Sequence, residues 1–211
     1  MLSVRGIARR YCNAGGGVLV RPTFLGGGGT PSLRARLVEL ARKEHSFSVN
    51  ECVYGWTAAF QQTWSHVVIR IRLNPDAGIS AATVANLQTT WQSGIVGTWS
   101  SRWGVGGGRE ITCPLTFEVQ WVTNNQHHTV RVRAGSNRSN MLTWDDQDTG
   151  AVAAHEFGHM HGLVDEYSDS NCPSRSPVGT GTVMDNNSNT VPQRLMDRFA
   201  ANLGNSVVAL P

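Results

Sequence analysis

Val84, Leu87, Trp91, Ile95 and Trp99 recur every three or four positions. That spacing predicts a long helix lying across a sheet, with Ser80 as its N-cap. Ahead of it, His66, Val67, Val68, Ile69, Arg70, Ile71, Arg72 and Leu73 are rich in β-branched residues and stop at Asn74-Pro75, so a strand is expected over 65–73. Phe117, Val119 and Trp121 alternate along 115–122, and Val130 and Val132 along 128–133. The polar stretch 123–127 between them reads as the turn of an antiparallel hairpin. A short strand is expected over 140–144. A further helix should follow, led in by Ala151, Val152, Ala153 and Ala154, with Asp145, Asp146 and Asp148 placed favourably near its positive end. Thr190 and Pro192, then Leu195, Phe199 and Leu203 at four-residue spacing, predict a last helix that stops at Gly204.

Outside these elements the pattern weakens. Glycine runs at 15–17 and 26–29 read as a flexible arm, and Pro31 and Ser32 open a short helix carrying Leu33, Leu37, Leu40 and Ala41 through about Glu44. Two units are therefore expected: an arm with its helix over 1–50 and a folded domain over 51–211. The glycines of 104–108 lack the lysine of a phosphate cradle and read as a connector. The Ser-, Asn-, Gly- and Pro-rich stretch 168–182 is expected to shape a cleft.

At 211 residues, with 40% hydrophobic and 16% charged positions, one core is expected. Net charge is only +3 and the basic excess lies within the first 43 residues without interleaved aromatics, which argues against nucleic acid as a partner. No stretch has the length of a membrane span, and the N-terminus lacks the apolar run of a classical signal peptide. A monomer is expected, either cytoplasmic or exported as an effector by a dedicated secretion system. Cys12, Cys52, Cys113 and Cys172 could form two disulfides, and their pairing is open.

The chemistry concentrates in 154–167. His155 and His159 stand four positions apart and share one face of the predicted helix, where both can bind one metal ion. Glu156, next to the first histidine, is placed to take a proton from a metal-activated water. Gly162 permits a positive φ and lets the chain turn back, bringing Asp165 round as a third ligand. His161, two positions from His159, should point away from the metal face. His127 and His128 fall in the predicted turn and read as solvated, near enough to a cleft edge to approach a substrate.

The run His155-Glu-Phe-Gly-His-Met-His-Gly-Leu-Val-Asp165 resembles the metzincin pattern HExxHxxGxx followed by His or Asp, with aspartate as in the snapalysin-like members. The resemblance covers about residues 65–204. It implies an α+β fold with a twisted mixed sheet, backing helix, active-site helix, methionine turn and C-terminal helix. It also implies Zn2+ held by His155, His159 and Asp165, Glu156 as general base, and Met184 in a turn beneath the metal. A polypeptide would be the substrate, docking on an edge strand for which His128–Arg133 is the candidate. Glu166 is the alternative third ligand, by analogy with zinc peptidases that use glutamate. Tyr167 could serve the oxyanion in place of the tyrosine that some metzincins carry after the methionine turn. Cys12 or Cys52 could block the zinc as a cysteine switch, and Glu166, Asp169 and Asp185 could hold Ca2+, though without EF-hand spacing. Two alternatives to a zinc endopeptidase stay open: a zinc hydrolase acting on a non-protein amide such as a cell-wall polymer, and a non-catalytic metal-stabilised binding domain.

Overall fold

Strand β1 (Arg42–Glu51) and strand β2 (Tyr54–Thr63) pair antiparallel over their whole length, joined by a tight turn in which Cys52 has φ 52°. The computed structural model describes residues 42–107, 111–202 and 206–210. Two expectations change here. Arg42 to Glu44 are strand, where the expected helix was to end, and the boundary at residue 50 falls inside β1. The reason is a two-residue alternation from Glu44 onward, in which half-buried side chains such as Phe47 face the core while their neighbours face solvent. Leu33 to Ala41 and both glycine runs lie outside the described residues.

Strand β3 (His66–Pro75) begins against the end of β2 and is the spine of a six-stranded mixed sheet. Helix α1 (Ala81–Trp99) lies across that sheet, with Ser80 Oγ accepting the Thr83 N–H at 3.0 Å as its cap. Leu87, Trp91, Ile95 and Trp99 are buried, as their spacing requires. The glycine-rich stretch expected to be a connector is strand β4 (Trp103–Gly107). It pairs with β5 (Ile111–Pro114) and with β9 (Ser206–Ala209) in a second, antiparallel sheet. Its ladder needs only backbone groups, which glycine supplies as well as any residue.

Strands β6 (Thr116–Trp121) and β7 (His128–Arg133) do not form the expected hairpin, because both run parallel to β3. Val122 N–H bonds the Ile71 carbonyl and His127 N–H bonds the Arg70 carbonyl. Consecutive carbonyls of a strand point to opposite edges, so 122–127 carries the chain across β3 without reversing it. Strand β8 (Thr143–Asp145), expected three residues earlier, adds in parallel to β7. With β3 on one side and β8 along Arg131–Arg133 on the other, β7 is an inner strand and not the edge strand expected.

Helix α2 (Gly150–Met160) is capped by Thr149, and its contact with α1 is backbone on backbone. A Cβ on Gly94 would lie 2.3 Å from the Gly150 backbone, closer than atoms can approach, so only glycine lets the two helices cross here. Ala153, Ala154, Phe157 and Met160 fill the core beneath. The acids before α2 are used locally rather than at its end: Asp145 is buried against Arg133, and Asp148 accepts the Asp145 N–H. The expected last helix is divided into a 3₁₀ turn (Gln193–Leu195) and a short α3 (Asp197–Ala201); Leu195 and Phe199 are still buried. Leu203 and Gly204 lie outside the described residues. The fold is thus α+β with a mixed sheet, and no described helix is long and apolar enough to cross a membrane.

Candidate metal centre

His155 and His159 project from one face of α2, with ring centroids 5.0 Å apart. Gly162, at φ 96°, ends the helix and turns the chain back, with Leu163 N–H bonding the Gly158 carbonyl. That turn delivers Asp165, whose Oδ1 lies 3.0 Å from His155 Nε2 and 3.2 Å from His159 Nε2. The three ligand atoms lie within 4.8 Å of one another, and this His-His-Asp group can hold a metal ion.

The other ring nitrogens fix what these atoms can do. His155 Nδ1 donates to the Val183 carbonyl and His159 Nδ1 to the Leu163 carbonyl, each at 2.8 Å. A carbonyl only accepts, so in the neutral rings Nδ1 carries the proton and Nε2 presents a lone pair. Two lone pairs and a carboxylate oxygen then converge with no donor between them, an arrangement that a cation satisfies. The three groups also act on one another's charge. Burial opposes charge on Asp165, yet His155 and His159 hold its carboxyl well below the ordinary range. Burial likewise opposes charge on His159, yet Asp165 and Glu156 raise its pKa.

Asp165 Oδ2 accepts from the Tyr167 hydroxyl at 2.7 Å, and Arg175 Nη2 stands 3.5 Å away. Burial, followed by this bond to Asp165, pushes the Tyr167 phenol above its ordinary pKa. Arg175, 1% exposed at its side chain, grips Glu51 with two bonds of 3.0 and 2.8 Å and gives a third to the Tyr167 carbonyl. A disulfide between Cys52 and Cys172 staples the β1–β2 turn to the loop carrying Arg175. Bonded in this way, Cys52 has no thiol with which to act as a switch; Cys12 lies outside the described residues.

Met184 is fully buried under α2, where a Cβ on Gly158 would come within 2.5 Å of its Sδ. The Met184 segment is therefore the floor of the site, and its Val183 carbonyl orients His155. Glu166, the alternative ligand, turns away and is held by Arg194, Thr180 and Thr182. Asp169 accepts from Tyr54 and Asp185 from the Gly181 N–H, so the three acids considered for calcium are not brought together. Among the described residues, His155, His159 and Asp165 form the only group of His, Cys, Asp or Glu side chains that could hold a metal ion.

Glu156 opens on the same cleft, a cavity of about 730 Å³ walled by Tyr54 to Trp56 on one side and Ser136 to Leu142 on the other. Its Oε2 is buried without a hydrogen-bond partner, and burial raises its pKa against the pull of His159 and His155. Trp56 packs edge-on to His159 and donates to its backbone carbonyl at 2.9 Å.

His161, His127 and His128 serve the fold instead. His161 is fully buried among Trp99, Phe117, Phe157 and Phe199. His127 is not solvated but accepts the Arg70 N–H and meets Glu44, and His128 is buried against the Ala59 carbonyl. Sequence reasoning missed Glu51, Trp56, Arg138 and Arg175. Opposite charges beside Cys52 and three positions after Cys172 are the only trace of the Glu51–Arg175 pair. In comparisons with known proteins, no family model, no curated protein and no solved structure matches this chain.

Proposed function

We propose that this chain is a zinc-dependent endopeptidase of metzincin type. The observation that carries the reading is the convergence of two imidazole Nε2 atoms, their tautomers fixed, and one carboxylate oxygen beside the buried, unpartnered Oε2 of Glu156. A nitrogen, nitrogen, oxygen donor set leaving a fourth position open to a cleft fits catalytic zinc. His155, His159 and Asp165 would hold the ion, and when bound it supplies Lewis acidity that polarises a carbonyl and makes water a stronger acid.

The rest of the chemistry belongs to the chain. Glu156, with its raised pKa, is suited to take a proton from the attacking water and pass it to the leaving amine. Tyr167 and Arg175 hold Asp165 through its second oxygen, leaving the first for the metal. Trp56 keeps one side of His159 dry, and the open cleft admits a chain in extended form.

The test is zinc content and cleavage of an unstructured protein such as casein by the wild type and Glu156→Gln, with and without a chelator. Both proteins are expected to carry one zinc, with turnover in the variant lower by about 10²–10⁴-fold. Near-normal cleavage by Glu156→Gln would remove that residue as the base, and failure to bind zinc would sink the site.

A further inference from the structure

We propose that Arg138 is a specificity-determining residue that directs the cleft toward peptides carrying an acidic side chain close to the scissile bond. This rests on the endopeptidase reading of the site and adds a substrate class to it.

The argument is an inventory of charge. Of the charged groups lining the cleft, Glu51 is used by Arg175. Asp148 accepts from Ser139 and from the Asp145 N–H, and burial raises its pKa. Asp165 and Glu156 balance a divalent ion at the histidines. Arg138 is what remains. It is exposed, and among the described residues no carboxylate lies within ion-pair distance of it. Asp169 feels its charge but is already engaged by the Tyr54 hydroxyl and the Asn171 N–H.

The guanidinium is also held in place. It lies over the Tyr167 ring, 5.3 Å from the centroid, and donates one N–H to the Tyr167 hydroxyl. That hydroxyl in turn donates to Asp165, so two hydrogen bonds link Arg138 to a metal ligand. Stacking leaves the other N–H groups of a planar fork for a carboxylate, with little side-chain entropy left to lose. A lysine in the substrate would meet this charge as repulsion.

The test separates binding from turnover. Labelled peptides differing only in Glu, Gln or Lys at successive positions are bound to zinc-loaded Glu156→Gln and to Glu156→Gln/Arg138→Glu, while wild type and Arg138→Gln are assayed for kcat/KM on the same set. At one position Glu should bind about threefold to fivefold more tightly than Gln, and Lys more weakly than either. Arg138→Glu should reverse that order, and Arg138→Gln should flatten it, with zinc content unchanged in both. Equal binding of the three peptides, or a preference that survives Arg138→Glu, overturns the proposal. Cleavage without acidic preference removes the role of Arg138 and leaves the endopeptidase reading. Acidic preference in binding with no cleavage by the wild type supports Arg138 and removes that reading, and absence of any peptide binding overturns both.

Discussion

His155 and His159 reach the candidate metal site by packing, whereas Asp165 reaches it through bonds made one at a time. Helix α2 sits on Ala153, Ala154, Phe157 and Met160, touches α1 at Gly94 and Gly150, and needs only two carbonyls to orient its histidines. The loop beyond Gly162 has no repeating backbone pattern. It is fixed by a left-handed glycine, the Tyr167 bond, the part-buried Glu51–Arg175 pair and the Cys52–Cys172 disulfide. Regular structure gives a ligand its position from many weak contacts at once; irregular chain must obtain it from a few strong ones. Damage to the first should therefore spread through the fold, and damage to the second should stay near the cleft.

The largest effect is expected from Gly94→Ala. Alanine gains about 1 kcal/mol of helix propensity over glycine. The added Cβ meets backbone at 2.3 Å, and no rotamer change can relieve that. The clash should win, with a net loss of about 3 kcal/mol in urea unfolding and of metal binding with it. If Gly94→Ala is as stable as wild type, the helices do not cross at backbone contact.

Arg175→Met tests the other half. It leaves the half-buried Glu51 without its partner at a local cost of about 1–2 kcal/mol. Zinc affinity should fall roughly tenfold to a hundredfold. Unfolding of the core should shift less than in Gly94→Ala, as hydrogen exchange of α1 and α2 amides would report. Core exchange that rises as much as in Gly94→Ala would erase the contrast.

His128 sharpens it, because the scaffold carries its own pH dependence. Burial lowers this histidine from 6.5 to about 4, so the unfolded chain takes up its proton first as the pH falls. The stability it contributes is intact above pH 6.5 and is lost progressively toward about pH 4, by roughly 2–3 kcal/mol. Urea unfolding of wild type and His128→Gln across that range should show a steeper decline in the wild type. Parallel curves would assign the decline to other groups.

What the sequence made legible follows the same division. The α1 element and its buried face were readable from a 3.6-residue period, and the pair His155 and His159 from a four-residue spacing that puts two side chains on one helix face. Strand direction has no such signature, so the alternations at 115–122 and 128–133 were readable as strands while their parallel course across β3 was not. β1 was lost because its faces are only half-buried, which blurs the alternation. Asp165 and Glu166 are adjacent, and the choice between them rests on Arg194, 28 positions away. Four cysteines allow three pairings, and spacing does not choose among them.

The passage of 122–127 across β3 bears on time as well as space. β1 and β2 meet through a turn of two residues, Cys52 and Val53, and can pair as soon as both exist. β3 meets β2 locally over His66–Val68, but its parallel partners come from far along the chain: His66 bonds Thr116, 50 positions on, and the Arg70 N–H bonds His127, 57 positions on. Each such closure costs entropy before any contact returns it. Loop-closure entropy thus favours an order of assembly in which the β1–β2 hairpin forms ahead of the parallel strands. On that order, a growing chain would have one wall of its cleft before the candidate metal site that the wall borders.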